Sequence, residues 1–159
     1  MSFIEMASVS NDGYIIEKVD RPFKDLKKGS YTYFKENDIL IAKITPSMEN
    51  GKFAIAKGLT NNLGMGSSEF HVLRVSDKID SKYLFTLLNI ESIRKDAQKK
   101  ITGSSGHKRV PIKFYEELEI PLLNLEDQKR FIAKIEKLEK VICFKKNTVE
   151  LECHGLYLL

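Results

Sequence analysis

Two short motifs in the chain contain residue types that could support catalysis. Glu49-Asn50-Gly51-Lys52 places a carboxylate three residues before a lysine, which hints at a metal-dependent nuclease, although such a site needs further acidic ligands nearby. Asp38 is the one conceivable ligand, and it suits a turn better. Gly103-Ser104-Ser105-Gly106-His107-Lys108 has the glycines and the lysine of a phosphate loop, but the spacing between them does not fit that motif. The nuclease therefore stays open as an alternative, and nucleotide hydrolysis is not predicted.

The histidines and cysteines do not form a metal site at the level of the sequence. The three histidines (His71, His107 and His154) and the two cysteines (Cys143 and Cys153) lack metal-ligand spacing. The chain opens without a secretory signal pattern, so free thiols are expected. It also has no run of about 18 uncharged apolar residues, which a membrane span would need. We therefore predict a cytoplasmic protein with no membrane partner, no metal, no cofactor and no catalytic centre.

Positive charge is concentrated in two segments. The whole chain has 26 Lys and Arg against 22 Asp and Glu, a net charge of +4, which does not by itself indicate a nucleic-acid binder. Residues 94–113, however, carry seven cations against Asp96 alone, and residues 21–28 carry four against Asp25. Such runs are often solvated helix faces. The larger run nevertheless surrounds loop 102–107, whose hydroxyls and backbone N–H groups suit phosphate contact.

Two other loops carry side chains that could read bases. Thr45, Ser47, Asn50 and Lys52 lie in or beside the first, and Ser67, Ser68 and Glu69 in the second. Asn can read adenine, Lys and Arg can read guanine, and Glu can accept from cytosine. These residue types favour nucleic-acid recognition over catalysis.

Segments with strand and helix patterns connect these loops. We predict strands at Asp38–Ile44, Lys52–Lys57 and Glu69–Val75, an edge strand at Glu119–Leu122, and helices at Ser81–Leu88 and Ile93–Ile101. Thr45–Gly51 and Gly58–Ser68 are predicted as ordered loops that join antiparallel strands. Ser81 is the expected N-cap of the first helix, and His71 is expected to be half-buried within its strand.

The C-terminal segment has the pattern of one long helix. Asn124 can cap it, and Phe131, Ile135, Leu138, Ile142 and Val149 follow at spacings of four, three, four and seven, broken by Lys145. Such a helix over 126–152 would span roughly 40 Å. The chain of 159 residues is thus predicted to be an α+β protein: a mixed, strand-rich domain with short helices over residues 1–122, and a coiled-coil-type helix within residues 123–159.

Five ordered blocks then resemble a known family. They are residues 28–32, 37–52, 66–74, 102–110 and 120–128. Together they resemble the target-recognition domain of the specificity subunits of type I restriction–modification systems, and the likeness runs from about Phe3 to Ile142. The resemblance implies a DNA-sequence reader that has no catalysis of its own and directs methyltransferase (M) and restriction (R) subunits to double-stranded DNA.

The chain departs from that family in having one recognition domain and one helix. It resembles a half-subunit, which could restore the usual two-domain architecture by homodimerising through Phe131, Ile135, Leu138 and Ile142. A helix of roughly 40 Å would then place two domains about one DNA turn apart, near the 34–36 Å that separates half-sites. The expected target is therefore bipartite and palindromic.

The predicted DNA contacts share a cationic or hydroxyl side chain, apart from one histidine: Arg21, Lys24, Lys27, Lys43, Ser47, Lys52, Ser67, Ser104, Ser105, His107, Lys108 and Arg109. Base-reading residues are expected in the less familiar stretches 8–14, 21–27 and 58–65. Two alternatives remain open: the small metal-dependent nuclease that uses Glu49 and Lys52, and an assembly protein whose helix docks to a partner while the domain never touches DNA.

Overall fold

The structure is a computed structural model that describes residues 1–103 and 108–155, with side chains up to residue 141. It divides into two compact units, Met1–Leu122 and a segment that begins at Leu123. Strands and helices are mixed in the first unit and the second contains one long helix, so the predicted α+β class is confirmed. Among the described residues, no helix has the length and apolarity that a membrane span requires.

Seven strands and five α-helices make up the described part of the chain. The strands are β1 (Ser2–Ile4), β2 (Val19–Asp20), β3 (Thr32–Lys35), β4 (Ile39–Ala42), β5 (Phe53–Ile55), β6 (Leu63–Gly66) and β7 (Phe70–Leu73). The helices are α1 (Phe23–Leu26), α2 (Ser81–Leu88), α3 (Glu91–Lys99), α4 (Ile112–Glu116) and α5 (Leu125–Gly155). Short 3₁₀ turns cover Met6–Ser8 and Thr60–Asn62.

The strands form two sheets that residues 67–69 connect at one end. The first sheet has the order β2-β1-β6-β3, with β1 and β6 parallel, and the second is the antiparallel sheet β5-β4-β7. Gly66 lies opposite both Ile4 and Thr32, and Ala42 lies opposite Phe70. Residues 67–69 connect β6 directly to β7, so they join these strand ends. We call this end of the two sheets the loop end.

Strand β4 is the centre of the hydrophobic core. All four of its residues are fully buried, as expected for the apolar, Ile-rich run that predicted it. Ile39 and Ile41 pack in one cluster with residues of the helices, including Leu88 and Tyr115, whereas Leu40 packs in a second cluster with residues of the first sheet. The strand therefore lies between two apolar layers, and packing on both faces fixes the position of its ends.

The structure confirms three predicted strands and corrects two other assignments. β4, β5 and β7 lie within the predicted segments. Residues 58–68, predicted as a loop, contain β6, because Gly64 lets the Phe34 ring lie against the strand where a Cβ would be 2.1 Å from that ring. Glu119–Leu122 is not a strand. Instead, the carbonyl of Pro121 accepts a 2.8 Å hydrogen bond from the Tyr83 hydroxyl.

The helices begin close to where the sequence places them. Asp80, rather than the predicted Ser81, is the N-cap of α2, and its carboxylate accepts from the backbone N–H of Lys82 at 2.8 Å and of Tyr83 at 3.3 Å. Asn124 caps α5 as predicted, since its Oδ1 accepts from the Asp127 N–H at 3.0 Å. Side-chain oxygens at both helix starts thus satisfy donors that have no partner within the helix.

Replacing Asp80 with Ala removes this cap and is expected to lower the free energy of unfolding by about 1 kcal/mol, the usual contribution of an N-cap. Urea denaturation followed by circular dichroism measures the loss. Asp77→Ala, which removes a carboxylate from the exposed turn just before, serves as the matched control and should leave the midpoint nearly unchanged. Equal midpoints for the two variants would contradict the assignment of Asp80 as the cap.

Candidate nucleic-acid interface

Backbone hydrogen bonds bring three loops together at the loop end. The N–H of Val110 donates to the Lys43 carbonyl at 2.8 Å, and the N–H of Thr45 donates to the Lys108 carbonyl at 3.2 Å. The N–H of Lys43 in turn donates to the Glu69 carbonyl at 2.9 Å. Residues 43–52, 67–69, 102–103 and 108–110 therefore form one surface, which we call the loop cluster. The sequence placed candidate DNA contacts on each of these loops without showing that they meet.

Arg109 and Glu69 form a two-point ion pair inside the loop cluster. The Nε and Nη2 atoms of Arg109 donate to the two carboxylate oxygens at 2.8 Å and 2.6 Å, and both side chains are partly buried. These hydrogen bonds raise the pKa of Arg109. Because a planar guanidinium held at two points has little freedom, the pair fixes the relative position of two loops. The Glu69 carboxylate also balances the positive charge of Arg109, which was predicted to contact DNA.

Lys52 points into the protein rather than toward solvent. Its Nζ donates to the carbonyl of Val9 at 2.7 Å and to that of Met6 at 3.2 Å. The ammonium group is therefore engaged with backbone carbonyls of the N-terminal segment. This geometry removes the reason for assigning Lys52 either to phosphate contact or to a nuclease site.

Glu49, the other member of the nuclease hypothesis, also has a structural partner. Its Oε1 accepts from the side-chain amide of Gln98 at 3.1 Å. In the described part of the chain, no group of three or more His, Cys, Asp and Glu side chains could hold a metal ion. Among the described residues, no arrangement of side chains favours the nuclease.

Ion pairs within helices balance much of the basic segment 94–113. Lys95 pairs with Glu91 at 2.8 Å, Lys99 with Asp96 at 2.7 Å and Lys113 with Glu117 at 3.4 Å. All are exposed, so each pair contributes only a few tenths of a kcal/mol. Lys100 and Lys108 are also exposed, and neither forms an ion pair with another described residue. Their charges are available to an anionic ligand.

The second basic cluster divides in two. Arg21 lies over the Phe3 ring, with its Cζ 4.3 Å from the ring centroid, and it pairs with Glu5 at 3.5 Å. Because Glu5 directly follows the end of β1, this contact brings the Arg21 side chain toward the loop end. Lys24 lies on α1 and Lys27 directly follows it, and both are exposed. The N–H of Lys27 donates to the Phe23 carbonyl at 2.9 Å, which closes the end of this short helix. The contacts of Arg21 hold its side chain against β1, and DNA contact by Arg21, Lys24 and Lys27 stays a prediction.

The predicted serine and histidine contacts have different outcomes. Ser67 lies in the loop cluster, where its Oγ accepts from the Glu69 N–H at 3.2 Å and shapes the turn. Ser47 lies there too, with a half-buried side chain, and its carbonyl accepts from the Lys52 N–H at 3.0 Å. Ser104, Ser105 and His107 lie outside the described residues.

Tyr31 is a residue of the loop end that the choice of candidate contacts missed. Its ring meets Phe3 edge to face, with centroids 4.8 Å apart, and its side chain is 39% exposed. A Cβ at Gly29 would lie 2.2 Å from the ring, so glycine is needed for the ring to take this position. The sequence Gly29-Ser30-Tyr31 could have indicated this position of the ring, because a glycine has no Cβ and lets a nearby aromatic ring lie close to its backbone.

His71 supports the loop cluster from within the second sheet. As expected it is half-buried, and its Nε2 lies 2.8 Å from the Val110 carbonyl. Because a carbonyl can only accept, Nε2 carries the proton and donates. Burial is the main cause that lowers the pKa of His71 below its usual 6.5, so the neutral ring is the folded form at neutral pH.

Comparisons with known proteins agree on one family. Residues 2–152 match the family model of the type I restriction modification DNA specificity domain. The chain is 43% identical over 141 residues to the specificity subunit of the type I restriction enzyme EcoAI, and 38% identical over 143 residues to that of EcoEI, both from Escherichia coli. Each alignment covers 87% of this chain but only 24% and 23% of the relative. The chain therefore spans about a quarter of the length of these curated relatives.

Two solved structures have the same fold. The HsdS subunit from Thermoanaerobacter tengcongensis superposes with a TM-score of 0.75 at 20% identity, covering 94% of this chain and 38% of that one. A chain from a structure on complex assembly and conformational transition of the type I R-M system superposes with a TM-score of 0.73 at 19% identity, covering 92% and 37%. At these identities the likeness establishes the fold alone.

The lowered pKa of His71 predicts a pH-dependent loss of stability. Below about pH 6.5 the unfolded chain binds a proton that the folded chain resists, so the stability is complete above that pH and falls as the pH drops through the lowered pKa. His71→Gln keeps an N–H donor for the Val110 carbonyl but cannot titrate. Urea denaturation at neutral and mildly acidic pH should show a smaller loss in this variant than in the wild type. An equal loss would contradict the account.

Proposed function

Because this chain belongs to the family of type I restriction–modification DNA specificity domains, we propose that it is a DNA-sequence reader without catalytic activity. In this proposal the loop cluster contacts double-stranded DNA. The observation that carries the proposal is the convergence of three polar loops, distant in sequence, at one end of two sheets. A rigid scaffold that presents several loops on one side is the usual arrangement for a binding surface.

The charges of the loop cluster support contact with phosphates. Lys108 is exposed, and the partly exposed Lys43 precedes the loop 45–51. Lys100 lies just before the same cluster and is also exposed. Lysines that have no carboxylate partner can neutralise phosphates and release the counterions bound to DNA. Hydroxyl groups at Ser47, Ser67 and the neighbouring Ser68 add donors of the kind that position a protein on the backbone of the duplex.

The Arg109–Glu69 pair supports recognition of sequence rather than of charge alone. Reading bases requires side chains held in a fixed position relative to the groove edges, because hydrogen bonds to bases depend strongly on direction. A two-point ion pair between loops supplies such rigidity at the centre of the proposed interface. We propose that it holds the surrounding loops in a conformation ready for DNA.

We propose further that α5 joins two copies of this chain. Its 31 residues would extend about 46 Å at 1.5 Å per residue. Phe131 and Ile135 are half-buried and Leu138 is 57% exposed, whereas the side chain of Ile142 lies outside the described residues. An exposed leucine in a heptad pattern suits a partner helix. The homodimer would present two recognition domains and read a bipartite, palindromic target.

The partners of such a dimer follow from the same proposal. The curated relatives are named as specificity subunits of type I restriction enzymes. We propose that the dimer directs methyltransferase and restriction subunits to the bound site, and that it acts in the cytoplasm with its two cysteines as thiols.

Selection from a pool of random duplexes tests the function directly. The full chain should enrich a defined sequence, because the proposed interface reads bases. If the chain shifts all duplexes equally, sequence recognition by this chain is contradicted. If it shifts no duplex at all, sequence recognition is contradicted and the assembly protein becomes the better hypothesis. If the chain instead cleaves DNA with magnesium, and Glu49→Ala abolishes that cleavage, the nuclease is correct.

Replacing Lys108 with Ala should weaken binding to all duplexes alike. The loss of one phosphate contact reduces the slope of log affinity against log salt by about 0.9. Lys35→Ala removes an exposed lysine at the opposite end of β3 and should leave the slope unchanged. Fluorescence anisotropy across a range of salt concentrations measures both. An unchanged slope for Lys108→Ala would show that this lysine does not contact phosphate.

Placing aspartates at Ile135 and Leu138 together should convert a dimer into monomers, because two charges would be buried at the helix contact. Lys137→Asp with Lys140→Asp adds the same number of aspartates at exposed positions outside the apolar pattern and should leave the dimer intact. Sedimentation velocity at micromolar concentration measures the state of each protein. A monomeric wild type would overturn the homodimer proposal.

A further inference from the structure

Residues 8–16 form a small, internally bonded loop, which we call the N-terminal hairpin. The N–H of Ser10 donates to the Tyr14 carbonyl at 2.9 Å, and that of Ile16 donates to the Ser8 carbonyl at 2.8 Å. The buried Oγ of Ser10 accepts from the N–H groups of Asp12 and Tyr14, both at 3.1 Å. These bonds hold the turn, and the buried Val9 and the adjoining Ile15 anchor its base in the second core cluster.

Lys52 fastens this hairpin to the loop cluster. Its Nζ donates to the Val9 carbonyl at the base of the hairpin and to the Met6 carbonyl just before it, at 2.7 Å and 3.2 Å. These bonds connect Lys52 to residues that lie 43 and 46 positions earlier in the chain. The tip approaches the same loop, since a Cβ at Gly51 would lie 3.2 Å from the Asn11 carbonyl. Lys52 and Gly51 therefore place the tip beside the loop that carries Ser47.

The tip presents two side chains of the types that read bases. Asn11 and Asp12 are exposed, and neither side chain has a hydrogen bond to any other described residue. Asn can form two hydrogen bonds with adenine, and a carboxylate can accept from the amino group of cytosine. A polar tip on a rigid turn, fixed next to the proposed interface, has the geometry that direct readout needs.

We infer that Asn11 and Asp12 are specificity-determining residues and that Lys52 is the residue that positions them. The inference rests on the proposed DNA-binding function and adds to it a further contact loop and its anchor. In this proposal the ammonium group of Lys52 donates to two carbonyls and does not neutralise a phosphate. Its loss should therefore weaken discrimination between sequences without changing how binding depends on salt.

The test uses the full chain and the duplex that the wild type selects from a random pool, together with all single-base variants of that duplex. Lys52→Met should reduce discrimination at one or two adjacent base pairs by about tenfold or more, since a good two-point base contact is lost. Its salt slope should equal that of the wild type. Lys52→Arg, which can still donate to both carbonyls, should recover part of the discrimination. Lys57→Met is the matched control, because it removes an exposed lysine just past the other end of β5.

The opposite pattern would overturn the inference. If Lys52→Met lowers the salt slope by about 0.9 and keeps full discrimination, Lys52 contacts a phosphate and does not position the hairpin. Thermal unfolding shows whether each variant is folded at the assay temperature. If Lys52→Met is unfolded at that temperature, the variants Asn11→Ala and Asp12→Ala test the inference instead.

Asn11→Ala and Asp12→Ala act on exposed side chains and keep the backbone bonds of the hairpin, so both variants should fold. Each should relax preference at one base pair and leave the preferences elsewhere in the site unchanged. If both keep the complete wild-type preference, the inference is wrong while the proposed function stands. If the wild type itself selects no sequence, the proposed function fails, and the inference fails with it.

Discussion

The bonds between residues 43–45 and 108–110 are the constraint on which the proposed interface depends. They tie the end of the central strand β4 to a segment that lies beyond helices α2 and α3 in the chain. Because β4 is buried on both faces, its end is fixed by the core, and it fixes the segment bonded to it. The Glu69–Arg109 pair then adds the loop before β7 to the same assembly. A rigid core thereby determines the position of the polar loops, and Met48 and Val110 anchor two of these loops in it directly.

Cations in this domain have two distinct uses. Lys52 and Arg109 are directed to carbonyls and to a carboxylate within the protein, so they organise the loops. Lys108 and Lys100 face solvent and can attract a polyanion. The distinction matters because affinity for DNA comes largely from phosphate contacts, whereas sequence preference needs side chains of fixed direction. One surface can supply both affinity and sequence preference only if some of its charged groups hold the other groups in place.

Local patterns predicted much of the fold, and non-local contacts account for most of the errors. The buried run at β4 and the spacing of apolar residues in α2 are properties of adjacent residues, so the sequence shows them. Strand β6 was missed because its glycines suggest a turn, and only the Phe34 ring packed against it explains them. In the same way, lysine at position 52 suggests an exposed charge until the carbonyls of the N-terminal segment are in place. The family resemblance depended on five blocks together, and no single block carried it.

Amide hydrogen exchange of the full chain, with and without a duplex selected from a random pool, tests the central claim that the loop end binds DNA. Amides of residues 43–51, 67–69 and 108–110 should exchange more slowly when the duplex is bound. Residues 35–38 and 56–59, at the opposite end of the sheets, should exchange at unchanged rates. Protection confined to the opposite end, or no protection in the loop cluster when the duplex is bound, would contradict the account.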